Sequence, residues 1–465
     1  MLSNLEFSKR LDSEYYKKIL LKYENQIRQN SKYIELSQDA SFLIGPFGSS
    51  FDTANYIQNG DYRYVRGQDV KPFLLKDQEI RYLPKEDYFR LEKYALKEND
   101  ILISVVGTLG NACIVHKKDL PAIFSCKSTV IRTNKINSNY LLAFLNSKYG
   151  RELLLRKERG AIQKGLNLED LKTILVPNFD ESFQLQVESI LTYANNKIQD
   201  SKQTYSKAES ILLQEIGLQN FEPSKESVNI KNFKESFGIT KRLDAEYYQK
   251  KYEQIISKIV TQKHDSLINI VEIKKSIEPG SNHYSDEQGF PFYRVSDYNK
   301  FGLSTPDKEL TASFVADNKD LIERLKPKKG TILFSKDGSV GTAYLLRHNL
   351  DGITSSAILH LQIKKSKEII PEYLTLALNS KLVQMQAERD AGGSIILHWR
   401  KEEIEQVVVP IIDFKKQVQI AELVEESFKL KVESERLLDV AKKAVEMAIE
   451  VDEETATKFI TDNTK

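Results

Sequence analysis

Nine residues near the start of the chain, Ser8-Lys9-Arg10-Leu11-Asp12-Ser13-Glu14-Tyr15-Tyr16, return as Thr240-Lys241-Arg242-Leu243-Asp244-Ala245-Glu246-Tyr247-Tyr248, displaced by 232 positions. A match of that length is beyond chance, and others follow it in the same order. Ile101-Leu102-Ile103-Ser104 with Gly107 and Gly110 corresponds to Ile332-Leu333-Phe334-Ser335 with Gly338 and Gly341. The segment from Tyr140 to Lys148 recurs from Tyr373 to Lys381, and Val176-Pro177 recurs as Val409-Pro410. Solenoid repeats run about 20 to 50 residues, so a period this long is a duplicated domain.

Each copy ends in a long helical signal. Val187, Leu191, Ala194, Ile198, Tyr205, Ala208 and Leu212 step mostly by three and four, which places them on one stripe of a helix. Pro177 stops the preceding run, Asp180 can cap the start and Gly217 can close the end. At 1.5 Å per residue the rod is roughly 54 Å long. A second rod begins at Asp413 with Val418, Ala421, Val424, Phe428, Leu438, Ala441, Val445 and Ala448 on its stripe. Two such stripes predict one helical pair.

Between the repeated landmarks, Tyr62 to Val70, Ile101 to Val106, Ala112 to His116 and Thr129 to Arg132 read as strands divided by turn residues. Helical signals follow from Ser138 to Arg156 and from Leu168 to Thr173. The expected layout is a mixed α/β module over 1–180, a helix over 181–216, a linker over 217–237, a second module over 238–412, a second helix over 413–450 and a polar C-terminal tail over 451–465.

Several function classes are excluded or left without support. No apolar run reaches 18 residues and the opening MLSNLEFSKR lacks the apolar core of a secretion signal, so no membrane contact and a cytoplasmic location are expected. Cys113 and Cys126 show no CxxC spacing and are expected as buried thiols. His116, His264, His283, His348, His360 and His398 form no metal-binding pattern. No Walker lysine follows the Gly107 or Gly338 turns, and no adenine-methyltransferase tetrapeptide or glycine-rich cofactor loop is present. Net charge is +2 on 68 basic and 66 acidic residues, and the second rod has two more acidic than basic residues, which leaves the basic excess to the rest of the chain.

The candidate contact residues lie in loops. Phe47, Gly48, Ser49 and Ser50 follow Gly45-Pro46 and could offer hydroxyls and amides to DNA, or form a turn that buries Phe47. Arg66, Gln68 and Asp69, and again Arg294, Ser296 and Asp297, could read base edges, or pair within the module as salt bridges. The stretches Arg159 to Asn167, with Gln163, Lys164 and Asn167, and Gly392 to Lys401, with His398, Arg400 and Lys401, precede short helices and suit phosphate contacts, or are solvent-facing loops. Ser281, Asn282, His283, Lys127 and Lys336 complete the set. The Gly107-Thr-Leu-Gly110 and Gly338-Ser-Val-Gly341 pairs read as strand-joining turns before phosphate cradles.

The order of these parts resembles a known family. The Gly45-Pro46-Phe47-Gly48-Ser49 loop, the segment from Asp100 through Gly110, the helix from Tyr140, and the run from Gln163 through Leu166, Asn167 and Asp170 to Pro177 look like the specificity subunit of type I restriction-modification systems. That resemblance implies an α+β fold with two pseudo-repeated target recognition domains separated by two long antiparallel coiled-coil helices. It further implies a non-catalytic chain that binds double-stranded DNA and assembles with two methyltransferase subunits and with restriction and translocase subunits. S-adenosylmethionine, ATP and Mg would belong to those partners. The second module departs from the pattern, with Glu278-Pro279-Gly280-Ser281-Asn282-His283 in place of the first loop and no Gln-x-x-Leu-Asn run, so the two half-sites are expected to differ. The rival readings are a two-lobed protein-interaction scaffold without DNA binding and a stand-alone enzyme with an unfamiliar site.

Overall fold

The computed structural model describes residues 10–160, 164–226, 228–285, 289–393 and 396–464. They form two compact units: one gathers the chain up to Ile198 and from Val432 onward, the other comprises Gln199–Lys431. Each unit therefore holds one module together with a share of both long helices, a division different from the module-then-helix partition expected from sequence.

In the first unit the central sheet is antiparallel, in the order Ala40–Ile44, Ser128–Thr133, Ile101–Ser104, Ala112–Ile114. Its middle strand is apolar without alternation because both faces are covered. Ile101, Ile103 and Ile131 pack with Tyr140 and Phe144 of the helix Ser138–Asn146, whereas Leu102, Cys113 and Val130 pack with Val65, Leu75 and Phe124. Each such side chain, fully buried, contributes about 1.5–3 kcal/mol. Val65 and Phe124 belong to a smaller sheet, Arg81–Leu83, Tyr62–Val65, Ala122–Phe124, whose last pair is parallel. The strand expected through Val70 ends at Val65 because Arg66 and Asp69 close a short 3-10 turn over Gly67–Asp69.

The second unit repeats this plan. Its central sheet runs Val271–Lys275, Ile358–Ile363, Ile332–Ser335, Ala343–Leu345, with Ile332 and Phe334 against the helix Pro371–Asn379 and Leu333 and Ile358 against Tyr298 and Leu346. In both copies the single helix expected after the sheet is broken at a serine. Ser147 and Ser380 interrupt Ser138–Asn146 from Lys148–Arg156 and Pro371–Asn379 from Lys381–Asp390. Ser147 Oγ donates to the Phe144 carbonyl at 2.6 Å and accepts from the Gly150 amide, so it closes one helix and opens the next.

From Arg10 onward the repeat is structural. Arg10 donates to the Lys157 and Glu158 carbonyls at 3.3 and 2.7 Å, just past the end of Lys148–Arg156, and to the Asp12 carboxylate at 2.8 and 2.7 Å. Arg10 and Arg156 lie over the Tyr15 ring at 4.8 and 4.1 Å. Arg242 does the same in the second unit, donating to the Asp390 carbonyl at 2.9 Å, with Arg242 and Arg389 over Tyr247 at 4.5 and 5.0 Å. The clasp satisfies helix-end carbonyls that would otherwise lack donors.

The long helices are Glu181–Glu215 and Phe414–Glu450. Within the second unit, Ser201 and Ser427 exchange hydroxyl-to-carbonyl bonds at 2.7 and 2.8 Å and Lys416 meets Glu215 at 3.1 Å, so the two segments are antiparallel. Within the first unit, Val187, Leu191 and Ala194 pack with Leu437, Ala441, Val445 and Ala448, and Ser434 donates to the Ala194 carbonyl at 2.7 Å. Gln417 and Ile420, rather than Val418 and Ala421, are the fully buried residues at the start of the second helix.

The C-terminal stretch is not a polar tail. Glu453–Asn463 is a helix, capped where Asp452 accepts from the Thr455 amide at 2.7 Å, and it buries Ala456 and Ile460 in the first unit's core. Its apolar residues number only three among many polar ones, but Ala456, Phe459 and Ile460 fall on one face. Among the described residues no helix is long and apolar enough to cross a membrane.

Candidate nucleic-acid interface

The candidate loops of the first module converge at one rim of the central sheet. A Cβ on Gly45 would lie 2.5 Å from the Ser125 carbonyl carbon, and one on Gly67 would lie 2.8 Å from Lys127 Cβ, so both glycines are required by close backbone approach. The Val105 amide donates to the Lys127 carbonyl at 2.9 Å, and the Leu166 amide donates to the Val105 carbonyl at 3.0 Å. Those bonds bring Gly45–Gly48, the Arg66–Asp69 turn, Lys127, Val105 and the segment from Lys164 to Asn167 to one edge.

Phe47 is 70% exposed, and the aromatic that anchors its loop is Phe51, which packs at 5.4 Å from Tyr56 and 5.6 Å from Tyr64. Burial pushes the Tyr64 hydroxyl far above its ordinary range, so this cluster stays neutral. Gly48, Gln68, Lys127 and Asn167 are exposed and Ser50 is half-buried. The backbone of Ser49 lies in the 3-10 turn Gly48–Ser50. Lys164 is exposed and paired with Glu158 at 2.5 Å, and Gln163 lies outside the described residues.

Arg66 and Asp69 are turned inward. Arg66 Nε and Nη2 donate to the Asp69 carboxylate at 2.9 and 2.8 Å, and Nη2 also donates to the Glu79 carbonyl at 3.0 Å. Asp69 is buried, and its hydrogen bonds hold the Arg66 guanidinium above its usual pKa. Asp297 is equally buried, accepting from the Arg294 amide at 2.7 Å and the Ser296 hydroxyl at 3.0 Å. Arg294 Nε stands 3.9 Å from Asp297, a looser contact. In both copies the buried aspartate forms the turn, the within-module alternative to base reading, and Gln68 and Ser296 are exposed at the turn tips.

The second module builds the same rim. Ser355 donates its amide to the Tyr293 carbonyl at 2.8 Å, Lys336 to the Ala357 carbonyl at 2.9 Å, and Trp399 to the Lys336 carbonyl at 2.7 Å. Lys336 Nζ reaches Asp337 at 2.5 Å, and His398 Nδ1 lies 2.9 Å from the same carboxylate. Asp337 escaped the sequence reading because no charge run marks it. Its signal was present in the repeat, where it stands opposite Val106 at an offset of 231. Ser281 and Asn282 are exposed in a short 3-10 turn whose His283 packs 4.7 Å from Phe314. Arg400 pairs with Glu403, and Lys401 with Glu405 at 2.9 Å.

The glycine pairs are turns. Gly107, Gly110, Gly338 and Gly341 take positive φ between 71° and 88°, and Ser104 and Ser335 each donate from Oγ to a carbonyl inside the turn at 2.5 Å. Cys113 is buried and Cys126 half-buried, both as thiols. Among the described residues no group of His, Cys, Asp and Glu could hold a metal ion.

Fold and rims together define a tandem protein, one α/β module used twice with a loop-built rim on each copy. The model of the type I restriction modification DNA specificity domain matches the chain twice, over residues 44–210 and 263–439. The chain belongs to that family and carries its domain in two copies, each match beginning at or before a rim and ending in a long helix. It is 25% identical over 150 residues to the specificity subunit of the type I restriction enzyme EcoBI of Escherichia coli, a match covering 30% of this chain and 32% of that protein. Among solved structures it is similar to the type I restriction-modification S subunit from M. genitalium, with TM-score 0.37 and 15% identity over 93% of this chain and 96% of that one. It is also similar to the HsdS subunit from Thermoanaerobacter tengcongensis, with TM-score 0.29 and 13% identity over 91% and 97% of the two chains.

Proposed function

We propose that this chain is the DNA-reading subunit of a type I restriction-modification complex, each module recognising one half of a split target in double-stranded DNA. The observation that supports this most is the twofold match to a DNA specificity domain, each copy of which spans a rim of polar and basic loop residues, with the exposed Phe47 added in the first. Phe47, Gly48, Ser50, Gln68, Lys127, Lys164 and Asn167 in the first module, and Ser281, Asn282, His283, Arg294, Ser296, Lys336, His398, Arg400 and Lys401 in the second, are the groups this reading places at DNA, together with Ser49 and Gln163. Lysines and loop amides would fix the register on phosphates, and a smaller set would read base edges.

In this reading the chain performs no chemistry. Two methyltransferase subunits dock on it and bind S-adenosylmethionine, restriction and translocase subunits use ATP and Mg, and the long helices set the number of base pairs between half-sites, as half-site spacing does in dimeric DNA binders. A cytoplasmic location follows from that partnership.

The test is adenine methylation across genomic DNA after the chain is expressed with its neighbouring methyltransferase gene, compared with the methyltransferase alone. A split motif methylated only when both are present is the expected result. No motif from a folded, associated pair would favour a protein-interaction scaffold, whose binding would also lack the steep salt dependence of phosphate contacts.

A further inference from the structure

The two rims share a backbone and differ in charge at matched positions. The Val105 amide bonds the Lys127 carbonyl, and the Lys336 amide bonds the Ala357 carbonyl, both at 2.9 Å. Val106 bridges Gly165, and Asp337 bridges His398; the Leu166 and Trp399 amides then close on the Val105 and Lys336 carbonyls. The preceding turns also agree, since Gly110 and Gly341 donate to the Ser104 and Ser335 carbonyls at 3.0 and 2.8 Å. Val105, Val106 and Gly165 therefore correspond to Lys336, Asp337 and His398, and Lys127 corresponds to Ala357.

The rim lysine has changed strands. In the first module it is Lys127, exposed and without an ion pair among the described residues. In the second it stands across the same backbone hydrogen bond, at Lys336, where Asp337 holds it and also takes His398. A charge needed for folding would recur in both copies, yet the first module forms the same turn and bridge with two valines and a glycine. The Lys336, Asp337 and His398 side chains are 18%, 19% and 63% exposed, so they end at the surface rather than in a core. What differs between copies of one scaffold, at its surface and with the backbone kept, serves what differs in the ligand.

We propose that Lys336, Asp337 and His398 are the base-reading cluster of the second module and that Lys127 is their counterpart in the first, so that this strand exchange makes the two half-sites unlike. Asp337 is an acceptor for an exocyclic amino group of cytosine or adenine, and Lys336 is a donor to guanine N7 or O6. Lys127, in no ion pair among the described residues, reads a guanine edge alone. This assignment rests on the DNA-reading function proposed above.

The test is the methylated motif of the assembled complex carrying the full chain as wild type, K127A, D337N, or K336V/D337V/H398G, the last copying the first module's residues. The expected result for the triple variant is about tenfold weaker discrimination at one or two positions of a single half-site. D337N, whose amide both donates and accepts, shifts preference toward adenine at one of those positions, and K127A relaxes only the other half-site. Fluorescence of Trp399, the single tryptophan, verifies that the second rim is folded; should the triple variant fail that check, the isosteric D337N decides. A wild-type split motif left unchanged by D337N and K127A would overturn this assignment while leaving the DNA-reading function intact. Changes in both half-sites from D337N would overturn it as well. No motif from the wild type would remove both.

Discussion

The Arg66 guanidinium pairs edge-on with the Asp69 carboxylate, Nε to Oδ2 at 2.9 Å and Nη2 to Oδ1 at 2.8 Å, while the Arg66 amide donates to Oδ2 at 2.9 Å. Asp69 is 3% exposed, so removing Arg66 leaves a buried carboxylate short of donors, whereas the neighbouring Gln68 is in solvent. Arg66→Ala is expected to lower stability by about 2–3 kcal/mol and Gln68→Ala by less than about 0.5. In the second copy the pair is wider, at 3.9 Å, and Arg294→Ala should cost about 1 kcal/mol or less. Urea unfolding of the four proteins checks the order; equal losses from Arg66 and Gln68 would contradict a structural role for the pair.

The clasp at Arg10 calls for a planar side chain. It caps two carbonyls, pairs with Asp12 and covers Tyr15, which a lysine ammonium cannot do in one geometry. Arg10→Lys is expected to cost about 1–3 kcal/mol and to raise amide exchange at the end of the helix Lys148–Arg156. Exchange that rises instead across the whole unit would mean the clasp is a folding determinant rather than a local cap.

His360 is 6% exposed, hydrogen-bonded to the Thr354 hydroxyl at 2.8 Å, and burial with Lys274 nearby pulls its pKa down from 6.5 to about 4. Between those values the unfolded chain binds a proton that the folded chain refuses. Stability of the second module therefore falls as pH drops from about 6.5 toward 4, by on the order of 3 kcal/mol from this residue, and is insensitive to it above that window. His360→Asn should flatten this part of the stability curve relative to wild type. Parallel curves for the two proteins between pH 6.5 and 4 would show that His360 charges freely in the folded state.

The sequence carries the duplication and both long helices because these are set by local periodicity and by residues that must be the same twice: Ile101-Leu102-Ile103, the Gly107 and Gly110 turn, and the Val187 to Leu212 stripe. The rim is less legible. Whether Arg66 faces a base or Asp69 depends on the Gly67 approach to Lys127, a contact between segments 60 residues apart. The repeat from Arg10 to Tyr16 invites a functional reading and proves to be a helix-end clasp, because helix-end carbonyls distant in sequence leave no mark at the residues that cap them. Asp337 is visible only by comparing the copies, where the pattern of backbone bonds is kept and the charge is not.

The C-terminal helix is the element that composition concealed, and it makes the last prediction. Ile460 is 6% exposed and Ala456 is fully buried in the first unit's core, while Glu453 accepts the Asp180 amide at 3.0 Å, just before the helix Glu181–Glu215 begins. That amide is one of the donors a helix start leaves without an intrahelical partner. Ile460→Ala is expected to cost about 2–4 kcal/mol, Ala456→Asp at least as much through a buried unpaired charge, and Glu453→Ala about 1 kcal/mol through the lost cap. Thermal unfolding of the three variants measures these costs, and limited proteolysis locates them: cleavage after Lys458 should rise in Ile460→Ala before cleavage elsewhere in the unit. A melting temperature unmoved by Ile460→Ala would mean that residues 453–463 do not contribute to the first core, and that the apolar face formed by Ala456, Phe459 and Ile460 is idle.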